Sequence, residues 1–172
     1  EAVAVDMWEP FLSAIREALP NAEIVHDKYH IASYLGKAVD EVRKKEHKNL
    51  KKENDKVLTG TKYLWLKNSE NWSEENKKSF EELQAKGLKV GRAWALKETF
   101  SDLWNYSYEK SARKFFDRWY WWATHSRLPP MIKVAKMLKR HLDNILSYLK
   151  HRITNATAEG FNSKIQAIKA AA

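Results

Sequence analysis

Five side chains in this 172-residue chain have the type and setting to do chemistry: Asp6, His26, Asp27, His30 and Glu159. Asp6 follows the apolar run of "AVAVDMW" (residues 2–8), and Asp27 ends "AEIVHD" (residues 22–27). A carboxylate in such a place caps the next helix through its side-chain oxygen, or offers that oxygen to a hard cation such as Mg²⁺. His26 and His30 are four positions apart. On a helix they would share a face, as in a zinc or two-metal hydrolase site. A strand at His26 would instead aim the two rings apart and leave His30 to bond Asp27. Of the four other histidines, His125 or His141 would have to serve as a further imidazole ligand for such a site. Glu159 lies in "RITNATAEGFNSKI" (residues 152–165). In the first turn of a helix a glutamate favours the helix dipole. On that helix Glu159 shares a face with Asn162 and Gln166, while Phe161, Ile165 and Ile168 make the apolar face.

The elements that must position these groups begin with residues 2–8, which read as a short buried strand. Residues 9–20 read as a helix with Pro10 in its first turn, where no backbone donor is needed. Its apolar stripe is Phe11, Leu12, Ile15 and Leu19. Residues 22–27 read as a second strand. Strand, helix and strand in this order predict a parallel βαβ unit with both carboxyl ends on one side, and ligands of open α/β sheets bind beyond such ends. Two strands alone do not make a stable sheet. After Asp27 the pattern is helical: a long, increasingly basic helix, a break around "LTGTKYLWL", and a helix opened by Ser73 and stopped by Gly87. Further helices are predicted over 88–106, 110–124 and 130–149, and from Thr157 onward. The fold class is therefore mostly α with a small α/β part.

The net charge is +9, which favours a polyanionic partner. Residues 28–62 hold ten Lys/Arg against five Asp/Glu, and residues 127–152 seven against one. On the predicted helix over 130–149, Ile132, Ala135, Leu138, Leu142 and Ile145 face inward. Lys133, Lys136 and Arg140 line an outer face that can track phosphates, with Arg127 and Lys164 as further cations. "RWYWWATHSR" (residues 118–127) mixes rings with cations, so Trp119, Trp121 and Trp122 are the nearest candidates to stack on an unpaired base. Most of the eight tryptophans must still be core. There is no cysteine, which excludes disulfides and thiolate zinc sites. No apolar run approaches the length of a membrane span.

Together, "AVAVDMWEPF", "AEIVHDKYHI", "LTGTKYLWLKNSENW", "GRAWALKETFSDLW", "FFDRWYWWATHSRLPPM" and "RHLDNILSYLKHRITNATAEGFNSKIQAIK" resemble the ISL-three family of DDE insertion-sequence transposases, in order and over nearly the whole chain. The resemblance implies a ribonuclease H-like catalytic core with two Asp and one Glu. Asp6 matches the second aspartate and Glu159 the glutamate. Asp27 and His30 match a supporting D-x-x-H motif, with Asn162 beside Glu159. Residues 1–30 and 153–172 are then parts of the core, and 31–152 a helical insertion domain. The first aspartate is expected before Glu1, with zinc-binding and helix-turn-helix segments, so these 172 residues alone are expected to be inactive and to hold no metal.

The implied chemistry is strand cleavage and strand transfer on DNA, with transposon ends and target as partners. Two Mg²⁺ (or Mn²⁺) ions about 3.5–4 Å apart would be held by the three carboxylates. The intact protein is expected to be a homo-oligomer of the bacterial cytoplasm, associated with the nucleoid and not with a membrane. Two other readings stand beside this one. One is a basic helical DNA-binding module without catalysis. The other is a metal phosphohydrolase built on His26 and Asp27.

Overall fold

A computed structural model describes residues 1–154 and Lys164. The fold is mostly helical with one small sheet. The elements run β1 (Ala2–Val5), α1 (Glu9–Ala18), β2 (Glu23–His26), α2 (Lys28–Lys52), α3 (Lys62–Leu66), α4 (Glu74–Gln84), α5 (Lys89–Ser101), α6 (Glu109–His125), α7 (Pro129–Arg140) and α8 (Leu142–His151). Short 3₁₀ turns occupy Ser69–Asn71 and Asp102–Asn105. β1 and β2 pair in parallel, with Val5 opposite His26. The expected βαβ unit is therefore present.

The chain divides into two compact units. The first is Glu1–Ile31 with the described residues from His141 onward, and the second is Ala32–Arg140. In the first, Val5, Leu12 and Ile24 form the buried cluster, with Ile15 partly buried against it. The predicted stripe of α1 is only partly used: Phe11 and Leu19 are 52% and 44% exposed. α8 packs on β2. Lys150 Nζ and His151 Nε2 both lie 2.7 Å from Glu23 Oε2, which ties the end of α8 to the start of β2. Those two contacts hold the Glu23 carboxyl down at about 2.

In the second unit the aromatic residues form the core. Trp65 is fully buried against Phe80, and Trp72 and Trp94 stack on each other and close on the same ring. A second group joins Phe100, Phe116 and Trp119. Burying side chains of this size contributes roughly 1.5–3 kcal/mol each. Ser73 caps α4 by accepting from Asn76 N, and Gly87 turns the chain out of that segment at φ +63°, a conformation that favours glycine. Glu46 of α2 spans the first turn of α5: its two oxygens accept from Lys89 N and Val90 N, each at 2.8 Å. Those donors would otherwise lack partners in the helix.

One sequence expectation needs correction. The helix predicted over 130–149 is two helices. Met131, Ala135, Leu138, Leu142, Ile145 and Leu149 keep one unbroken helical spacing, so nothing in the pattern marks a stop. The break falls at His141, whose backbone (φ −104°, ψ 12°) leaves the helical region without help from proline or glycine. α8 packs on β2 and falls in the first unit with it.

Candidate functional site

The parallel register sets the site. Val5 and His26 are the last paired residues, so Asp6 and Asp27 emerge next to each other at one end of the sheet. Asp27 N continues the ladder by donating to Val5 O at 3.4 Å. The two aspartates then differ. Asp27 is 2% exposed, and its Oδ1 accepts from Tyr29 N at 2.8 Å, the bond of a helix cap, just where α2 begins. Asp6 stays part-exposed. Its Oδ1 accepts from Met7 N at 2.7 Å, and its Oδ2 lies 3.6 Å from His30 Nδ1. That distance is ion-pair reach when the imidazole is protonated. His30 sits in the first turn of α2, whose start Asp27 fixes. Sheet register and helix cap together thus bring Asp6, Asp27 and His30 to one place.

His26 points elsewhere. Its Nδ1 lies 3.2 Å from Val5 O, and a carbonyl only accepts, so Nδ1 carries the proton. Its Nε2 is buried and has no hydrogen-bond partner among the described residues. Burial pushes the imidazole down to about 4, and the bond to Val5 only partly offsets that, so the ring is neutral at pH 7. His141 meets it edge to face at 5.2 Å between centroids and has Glu9 Oε1 3.9 Å from its Nε2. His125, in the second unit, bonds Trp121 O through Nδ1 at 2.7 Å. Among the described residues no three His, Asp or Glu gather closely enough to hold a metal. Glu159 and Asn162 lie outside the described residues.

In the second unit, Lys133, Lys136 and Arg140 are exposed on α7, and Arg127 is exposed in the turn before it. Lys164 is exposed as well. Trp121 and Trp122 are 63% and 38% exposed, with Trp121 stacked on His125 at 4.4 Å. Trp119 corrects the expectation for it. It is 2% exposed, and its indole N–H donates to Leu96 O at 2.8 Å, so it is core and cannot stack on a base. Its place follows from helical spacing with Phe116 and Ala123, both fully buried.

The sequence reading missed a buried cation, Lys97. Its Nζ lies 2.8 Å from Glu98 Oε1 and donates to Leu66 O, Lys67 O and Asn68 Oδ1. Glu98 in turn accepts from Ser69 N and Ser69 Oγ. Its signal was a lysine at a core-facing position of α5, one residue after buried Leu96. The reading also missed a groove in the same unit, between α2 and α7, with a volume of about 280 Å³.

Comparison with known proteins bears on this geometry. A transposase family model, DDE_Tnp_ISL3, matches residues 1–172. The chain is 28% identical over 172 residues to the transposase for insertion sequence element IS1001 of Bordetella parapertussis, covering 98% of this chain and 42% of that protein. It is 22% identical over 187 residues to the transposase for insertion sequence element IS1557 of Mycobacterium tuberculosis, covering 95% of this chain and again 42% of the relative. The chain thus spans less than half the length of these relatives. No solved structure matches it. With the family model matched from its first residue to its last, the chain belongs to the ISL-three family of insertion-sequence transposases.

Proposed function

We propose that this chain is part of a DDE transposase that cleaves and joins DNA strands at insertion-sequence ends, and that Asp6 and Glu159 are two of its three catalytic acids. The observation that carries the reading is the placing of Asp6 beside Asp27 at the carboxyl ends of a parallel pair, with His30 on its outer oxygen. Open α/β sheets bind ligands there. The first unit would belong to a ribonuclease H-like core, with α8 included, and Ala32–Arg140 would be the helical insertion.

A divalent metal fits the chemistry of this end of the sheet. Asp6 supplies a part-exposed carboxylate, the ligand type that Mg²⁺ and Mn²⁺ take. Asp6 and Glu159 would hold it with a further aspartate of the longer protein. When bound, it supplies charge neutralisation at the phosphate and a lowered pKa for bound water. This chain's own residues have simpler tasks. Met7 N fixes one oxygen of Asp6, His30 faces the other, and Asp27 anchors the turn that carries His30. Lys133, Lys136, Arg140, Arg127 and Lys164 would contact DNA phosphates, and Trp121 or Trp122 an unpaired base.

The test is Asp6→Asn and Glu159→Gln in the full-length protein, with strand cleavage measured on an end-containing duplex. Cleavage should be lost while binding to the duplex persists. Retained cleavage in either variant rejects the assignment of that residue.

A further inference from the structure

We propose that the groove between α2 and α7 is a binding site for an unpaired nucleotide, with its base on the ring of Tyr34 and its phosphate among Lys37, Lys133 and Arg140. The inference rests on the reading that the protein acts on DNA; it deepens that reading by giving Lys133 and Arg140 one phosphate and adding Tyr34 and Lys37, which the reading does not use. The groove lies wholly within Ala32–Arg140. Its volume of about 280 Å³ is near the small end of ligand sites, ~300 Å³.

Three properties select the ligand. The first is a flat apolar surface: Tyr34 is half-buried, and Val134 and Met137 of α7 line the groove with it. A base has a π-face that stacks on such a ring whatever its sequence. The second is charge. Lys37, Lys133 and Arg140 are exposed around the groove, and none is paired with a carboxylate among the described residues. Glu41 is the one acid in the lining, and Lys45 Nζ neutralises it at 2.8 Å. The third is the placing of charge against ring. Lys37 Nζ lies 5.6 Å from the Tyr34 centroid, so cation and stacking surface are held within one nucleotide's reach. An aliphatic acid would satisfy the cations and leave the ring unused. A duplex would meet the cations but keep its bases stacked on each other. An unpaired nucleotide uses both.

The experiment takes the full-length protein and compares a short single strand of deoxythymidine with a fully paired duplex by fluorescence anisotropy. Tyr34→Ala should weaken single-strand binding about tenfold, within the range for loss of one base–aromatic stack. Its duplex affinity should not change, and Tyr34→Phe should retain wild-type affinity for both. Photo-crosslinking of wild-type protein to a strand carrying 5-iododeoxyuridine, mapped by mass spectrometry, should mark Tyr34; this readout stands even if Tyr34→Ala does not fold. If the strand binds but Tyr34→Ala is indifferent, or crosslinks fall only elsewhere, the groove assignment is overturned and DNA binding stands. If neither strand nor duplex binds, both fail. Displacement of the strand by polyglutamate or anionic vesicles at equal charge overturns the nucleotide assignment, because charge alone would then account for occupancy.

Discussion

Asp6 Oδ2 and His30 Nδ1 lie 3.6 Å apart, although one residue follows β1 and the other stands in the first turn of α2. The contact exists because β2 pairs with β1 and Asp27 fixes where α2 starts. On the proposal that Asp6 holds metal, His30 is the partner that orients its carboxylate, and such a partner typically matters 10–100-fold in metal affinity or activity. His30→Ala in the full-length protein should therefore lower strand cleavage by about that factor and raise the Mg²⁺ needed for half-maximal rate. An unchanged metal titration would mean that His30 does not orient Asp6.

Trp119 and Trp121 are two positions apart on α6 and should behave oppositely. Trp119→Ala removes a buried indole and its bond to Leu96 O, and should cost about 3–5 kcal/mol in urea unfolding. Trp121→Ala changes an exposed ring and should stay within about 0.5 kcal/mol. Equal effects would contradict the assignment of one to the core and the other to the surface.

Glu23 makes stability depend on acid. Its folded value, about 2, is below the ordinary 4.5, so the unfolded chain binds the proton more readily between those values. Its contribution is complete above pH 4.5 and is lost as pH falls toward 2. Wild type should exceed Glu23→Gln in stability at neutral pH, with the gap closing through that window. A gap that persists at pH 2 would show that the carboxylate's charge is not its source.

Lys97→Met should destabilise the second unit by about 2–3 kcal/mol, because Lys97 is buried while its partner Glu98 is only half-buried and can regain water. Glu98 would lose its cation, and the carbonyls of Leu66 and Lys67 would lose a donor. Thermal unfolding followed by near-ultraviolet dichroism reads this out, since the tryptophan cluster of the same unit supplies the signal. A loss under about 1 kcal/mol would place the network among surface ion pairs.

Replacing Lys133, Lys136 and Arg140 together with Gln should weaken duplex binding. It should also flatten the plot of log affinity against log salt by roughly 2–3, since each phosphate contact contributes about 0.9. An unchanged slope would exclude this face from DNA contact.

The βαβ unit and the long α2 were legible because each is specified locally: apolar runs of strand length, a proline in a first turn, an aspartate before a helix. The neighbourhood of Asp6 and Asp27 was legible for the same reason, since parallel strands joined by one helix must end on the same side. The break at His141 was not legible. It has no local cause in residue type, and the apolar spacing runs through it; α7 and α8 fall in different units. Trp119 was misread for a related reason. A run of rings and cations does not say which ring faces the core, and only its register with Phe116 and Ala123 does. Lys97 stayed hidden because the loop carbonyls that satisfy it lie some 30 positions earlier, at separations of 31 and 30.

The burial of Lys97 gives the protein an internal clock. Its amine is enclosed by carbonyl oxygens and a carboxylate, so an amine-reactive reagent that modifies surface lysines at once must wait for the enclosure to open. At reagent levels where labelling outpaces reclosing, the rate at which that one position acquires label is the opening rate of its enclosure within Ala32–Arg140, read by mass spectrometry without denaturant. Measured with and without DNA, that rate reports how far a bound strand stiffens the helical block.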